Sequence, residues 1–120
     1  MSRSKPQIFK ELTDMILKFR EERDWKQFHN PKDSAIALSL EAMEVLEHFH
    51  WRNKEEIEQY IKEKKKEIGD ELADVLFWVL LLSHDLGIDP EEAFLTKMEE
   101  NKKKYPIEKA KGKHLKYTEL

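Results

Sequence analysis

ELADVLFWVLLL, residues Glu71–Leu82, is the most apolar passage of the chain, and it opens on two acids. The apolar residues Val75–Leu82 would surround a helix on nearly every side, so that helix needs cover from all directions. The run is far short of the roughly 20 residues that span a bilayer, so a soluble protein with no membrane partner is expected. Upstream, the pattern extends back to Asn53, which can cap a helix. The stretch NKEEIEQYIKEKKKEIGDELADVLFWVLLLSHDLG reads either as one long helix or as a short one and a long one, with Gly69 as the candidate break. Lys62–Lys66 reads as a solvated face, and Gly87 as the residue that ends the helix.

Outward from this segment, three more helices follow from the same logic. A first is predicted from about Pro6 to Glu22, because Ile8, Leu12, Met15, Ile16 and Phe19 recur at steps of three and four. Asn30 can cap a second, with Pro31 at its first position, where a missing N–H costs nothing. That helix is predicted to reach about His50. Asp89–Pro90 repeats the device and starts a last helix, which runs to about Lys104 and stops at Tyr105–Pro106. Residues 107–120 are polar, basic and aperiodic, and read as a flexible tail behind a helical domain of residues 1–106. Four main helices with short connections predict an all-α fold, a four-helix bundle.

Two pairs of acids lie where the pattern does not require them. Glu41 and Glu44 are three apart and share a helix face, as do Glu71 and Asp74. Glu67, Glu71, Asp74 and Trp78 form one stripe, and Glu41, Glu44 and His48 another. If the two helices are antiparallel neighbours, four carboxylates converge, and neither short segment contains a Lys or Arg to neutralise them. Asp74 adjoins the apolar run, where an unpaired charge is costly. Hard oxygen ligands in this number suit Mg²⁺, or Mn²⁺. The alternative is solvated surface, the usual fate of helical acids spaced three or four apart. That reading holds for Glu55, Glu56, Glu58 and Glu63, stays open for Glu41 with Glu44, and leaves Glu47 and Glu67 undecided.

Composition narrows the classes. The 120 residues fit one domain, and with 3 Gly and 4 Pro, long helices meet few breakers. A charged share of 39% leaves little neutral surface, so burial between subunits is expected to supplement a thin core. The net charge of −3 gives no reason to expect a nucleic-acid partner. The absence of Cys excludes disulfides, thiolate metal sites and Cys nucleophiles. It also fits a cytoplasmic protein. Met1–Lys10 is charged and lacks the apolar centre of a signal peptide, so none is expected.

The two acid pairs, EAME (Glu41, Glu44) and ELAD (Glu71, Asp74), resemble the E-x-x-E and E-x-x-D pattern of the all-α nucleoside triphosphate pyrophosphohydrolases of the MazG-like type. Three further segments resemble the dCTP pyrophosphatase branch of that family. ERDWKQFHNP precedes the first acid helix, EVLEHFHW ends in Trp51, and KMEENKKKYP lies on the last helix. The likeness runs from about Phe19 to Pro106.

The resemblance implies a Mg²⁺-dependent enzyme that cuts a nucleoside triphosphate, dCTP or a modified dCTP, to the monophosphate and pyrophosphate, and so cleanses the nucleotide pool. It implies that Glu41, Glu44, Glu71 and Asp74 bind the metal; one carboxylate can be both ligand and base, and Glu44 is our choice for that catalytic role. It implies that Lys97, Asn101 and Tyr105 reach the triphosphate, and that Trp25, His29 and Trp51 line the nucleoside pocket. Residue chemistry is compatible, since Lys97, Asn101 and Tyr105 are spaced by four and offer a cation, an amide and a phenol. Without the resemblance, these would be an ordinary helix end, the tryptophans core or interface residues, and His29 a turn residue. Two positions depart from the branch. His48 stands where an apolar residue is expected, and Trp78 where a Tyr-type residue is, so Trp78 joins the candidate base-pocket residues. A homotetramer built from dimers is also implied. Two other classes remain open: a ferritin-like di-iron carboxylate protein, for which Glu47-x-x-His50 supplies a single E-x-x-H, and a non-enzymatic dimerisation bundle.

Overall fold

The computed structural model describes residues 7–120. They form α1 (Ile8–Glu22), α2 (Pro31–Glu47), α3 (Lys54–Asp85), α4 (Pro90–Lys104) and a single turn, α5 (Ile107–Ala110), with 3₁₀ turns at Lys26–Phe28 and Tyr117–Glu119. No strand occurs among the described residues, and the four main helices anticipated from the sequence are all present. Pro6, where the first helix was expected to begin, lies outside the described residues; the helix is capped at Gln7.

Local chemistry accounts for the boundaries. The Asn30 side chain accepts a hydrogen bond from the Asp33 N–H at 2.9 Å, with Pro31 directly after the cap. Asp89 Oδ1 accepts from the Glu91 and Glu92 N–H groups at 3.0 and 3.2 Å, again ahead of a proline. At Asn53 the cap is reciprocal, because the Glu56 carboxylate reaches back to the Asn53 N–H. Gly87 follows α3 at φ 70°, a left-handed conformation that a side chain would strain.

Two boundaries differ from expectation. The second helix stops at Glu47 rather than His50, because His48 Nδ1 turns to the Tyr60 hydroxyl at 2.6 Å and joins the end of α2 to the start of α3. The long helix is continuous through Gly69 and kinks instead at Lys64, φ −118° and ψ 21°. Gly69 faces open space and costs a helix only about 1 kcal/mol. Lys64 sits in the lysine-rich stretch of residues 62–66, all of them exposed, so no packing holds the turn there.

The chain divides into a unit that ends at Gly87 and a second unit, Ile88–Leu120. In the first, α3 packs against both α2 and α1. His48 meets Tyr60 at one end, while His29, before α2, meets Trp78 near the other, so α2 runs antiparallel to α3. Phe19 touches Phe77 and Arg20 pairs with Asp85, so α1 runs parallel to it. Leu80 and Leu81, within the passage that decides the fold, are its fully buried apolar residues. In the second unit, the segment read as an aperiodic tail carries local order. α5 follows Pro106, and Tyr117 sets its ring edge-on to Tyr105 at 6.2 Å.

Candidate active site

Antiparallel packing brings the two acid helices face to face. One carboxylate oxygen from each of Glu41, Glu44 and Glu71 lies within 4.8 Å of the others. Glu41 and Glu71 are half-buried, and Oε2 of each is buried with no hydrogen-bond partner. No Lys, Arg or His among the described residues forms an ion pair with these acids or with Asp74. Asp74 is close enough for its charge to act on both Glu41 and Glu71.

The cluster is frustrated without a cation. Glu71 is pushed up to about 7, first by the close approach of the Glu44 carboxylate, then by burial, then by the charges of Glu44, Glu41 and Asp74. Glu41 is raised too, by burial first and then by Glu44. Orphaned, half-buried hard oxygens that repel one another fit a divalent cation, so the donor set agrees with the metal read from the sequence. One part of that reading is corrected: Asp74 is exposed in the single chain and lies outside the three-glutamate cluster, so its charge acting on Glu41 and Glu71 singles it out, rather than desolvation by its apolar neighbours. Glu47 and Glu67 are exposed, and neither Glu47 nor His50 belongs to the cluster, which removes the basis of the ferritin-like alternative.

A pH dependence of stability follows. Glu71 binds its proton more tightly folded than unfolded, so its contribution favours the metal-free fold below 4.5 and is lost as pH rises towards 7. Asp85, held below its ordinary 3.8 chiefly by the hydrogen bond from Arg20, has the opposite sign, and its contribution is lost as pH falls below that value. The melting temperature of the metal-free protein should therefore peak in the mildly acidic range and fall on both sides. A rise from pH 5 to 7 in thermal scans with chelator would contradict the repulsion assigned to the cluster.

Beside Asp74 opens a cleft of about 440 Å³ lined by Met15, Ile16, Phe19, Phe77 and Trp78. Its aromatics are part of a chain of edge-on contacts. Trp25 meets Phe19 at 5.6 Å, Phe19 meets Phe77 at 6.2 Å, Phe77 meets Trp78 at 5.2 Å, and Trp78 meets His29 at 5.4 Å. Trp25, His29 and Trp78 are thus linked in one chain of contacts, Trp25 through Phe19 and Phe77, and of the three it is Trp78 that lines the cleft. Trp51 is not: it is 84% exposed after the far end of α2 and meets only His50 among aromatic neighbours. Phe19 and Phe77 were not singled out as site residues, because in sequence both are indistinguishable from core. Lys97, Asn101 and Tyr105 belong to the second unit, where Lys97 and Asn101 share a face of α4 and Tyr105 follows its last turn. There Lys97 makes an exposed ion pair with Glu100 at 3.4 Å.

Comparison with known proteins adds three findings. The model of the MazG-like family matches residues 36–120, which include all four acids. Curated relatives named dCTP pyrophosphatase 1 are 35% identical in Bos taurus and 36% in Homo sapiens, each over 104 residues and 85% of this chain. The chain spans only 62% and 61% of the length of these two relatives. A crystal structure of a pyrophosphatase from Archaeoglobus fulgidus DSM 4304 superposes with a TM-score of 0.81 at 37% identity, over 88% of this chain and 99% of that one.

Proposed function

This chain belongs to the MazG-like family, and on that premise we propose that it is a Mg²⁺-dependent pyrophosphohydrolase that converts a deoxynucleoside triphosphate, dCTP or a modified dCTP, to the monophosphate and pyrophosphate. The observation that carries this reading is the meeting of Glu41, Glu44 and Glu71 around two unsatisfied buried oxygens, next to an apolar aromatic cleft. One half of the site suits a cation with phosphates, and the other suits a base. The names of the curated relatives favour the cytosine nucleotide.

Glu41, Glu44, Glu71 and Asp74 would hold the metal. When bound, Mg²⁺ supplies positive charge for the phosphate oxygens and makes water more acidic. Glu44 is exposed and faces both other glutamates, so it is the carboxylate best placed to take a proton from the attacking water. Phe19, Phe77 and Trp78 offer ring faces and edges on which a base can lie, and exclude water from that side of the phosphates. Lys97, Asn101 and Tyr105 would donate to phosphate oxygens and sugar hydroxyls, which none of the four acids can do.

Two apolar stripes support self-association. Ile36, Leu40 and Met43 on α2, and Leu72, Leu76 and Val79 on α3, are all exposed in the single chain at helical spacing. A second copy would cover them, and a dimer of dimers remains the assembly we propose. Light scattering should give a mass several times 14.5 kDa; a monomer at micromolar concentration would overturn this part of the account. A cytoplasmic location is proposed with it, and no helix among the described residues is long and apolar enough to cross a membrane. The function itself is tested by incubating the protein with each NTP and dNTP in Mg²⁺ or chelator. Selective, chelator-sensitive turnover of the cytosine deoxynucleotide is expected, and no turnover of any triphosphate would refute the reading.

A further inference from the structure

One buried charged side chain has no part in the chemistry above. Arg20, in the last turn of α1, is 4% exposed. Its guanidinium forks onto Asp85 at the end of α3, with N–H groups donating to Oδ2 at 2.8 Å and Oδ1 at 3.0 Å. The nitrogen that reaches Oδ2 also lies 3.4 Å from His29 Nδ1. A guanidinium can only donate, so Nδ1 accepts, and the proton of the neutral imidazole then sits on Nε2. The ring so fixed stands edge-on to Trp78, which lines the cleft beside Asp74. Asp85, Arg20, His29 and Trp78 thus form a relay of contacts that starts in a buried ion pair and ends at the wall of the candidate base site.

An ion pair that only tied α1 to α3 would need no third partner, and apolar residues of similar size commonly do that task as well or better. An Arg fork, by contrast, is a rigid way to hold a third group in one orientation. We propose that Arg20, locked by Asp85, is a positioning residue that fixes His29 as an Nε2–H donor for the nucleotide. The matching ligand chemistry is an acceptor on the base, a carbonyl oxygen or an unprotonated ring nitrogen. A base presenting only donors at that point is disfavoured, because the half-buried His29 Nε2–H then meets no acceptor. The inference rests on the function proposed above for substrate identity, but not for the state of the imidazole.

Two variants test it. R20M/D85L removes both charges, so neither is left buried alone, and Arg20→Lys keeps the charge but loses the fork. Nitrogen-15 NMR of His29 in the ligand-free protein, at mildly alkaline pH, reads the tautomer without reference to activity. Wild type should show an unprotonated Nδ1 and a protonated Nε2, and both variants an average of the two forms. Steady-state kinetics should show KM raised about tenfold with kcat little changed, the size of one hydrogen bond. A folded variant that keeps the wild-type tautomer, or one whose KM is unchanged, would make the pair a simple tie between helices. If R20M/D85L does not melt cooperatively, Arg20→Lys decides by the same two readings. Should the wild type turn over no nucleotide, the proposed function fails, and the His29 resonances still decide whether Arg20 sets the tautomer.

Discussion

Glu71→Gln should abolish turnover and raise the melting temperature of the metal-free protein. Its carboxyl is pushed up to about 7 by its contact with Glu44, by burial and by the neighbouring charges, so near neutrality it is already the acid of the group most ready to take a proton. Glutamine reproduces that neutral form, keeps the shape, and relieves the repulsion on Glu41 and Glu44. On the function proposed above, the same change removes a hard anionic ligand from a site that has few to spare. Loss of several kcal/mol of charge stabilisation corresponds to a fall of about a thousandfold or more in kcat/KM. Activity and stability should move in opposite directions, which a merely structural glutamate would not produce. Calorimetry with Mg²⁺ and thermal scans with chelator read both. Full activity in Glu71→Gln, or a lower apo melting temperature, would remove the metal assignment.

Trp78→Ala is expected to have the second largest effect, and on a different ligand class. Trp78 lies between Phe77 and His29 and lines the cleft beside Asp74. Stacking of one base on one aromatic ring contributes about 1–3 kcal/mol, so the variant should weaken nucleotide binding by roughly five- to 150-fold. Pyrophosphate, which has no base, should bind almost unchanged. Equal losses for both ligands would show that Trp78 only packs. Trp51→Ala makes a useful contrast: with so exposed a ring, Trp51 can weaken nucleotide binding in the same way only if the base approaches it across a subunit boundary.

The fold was largely legible because its signals are local. Asn30–Pro31, Asn53, Gly87 and Asp89–Pro90 act within a few residues of chain, and each marks the boundary that the sequence assigns to it. The kink at Lys64 was not legible, since Gly69 carries the more obvious local signal for a break, and neither was the early end of α2, where the His48–Tyr60 bond joins groups twelve residues apart. The acid cluster was legible through helical spacing plus one assumption, antiparallel packing, which the two His–aromatic contacts bear out. The aromatic cleft was not. Phe19 and Phe77 carry no chemistry that separates them from core, and only their position opposite Trp25 and Trp78 gives them a role. Arg20 was invisible for a related reason, because a charged residue at a helix end reads as surface until Asp85, sixty-five residues away, is seen to meet it.

The central claim is cleavage between the α- and β-phosphorus by a metal held on Glu41, Glu44, Glu71 and Asp74. Phosphorus NMR of dCTP incubated with the protein and Mg²⁺ tests it most directly. The account predicts that the three triphosphate resonances are replaced by those of dCMP and pyrophosphate, and that chelator stops the change. Formation of dCDP and orthophosphate, or an unchanged spectrum with Mg²⁺ present, would contradict it.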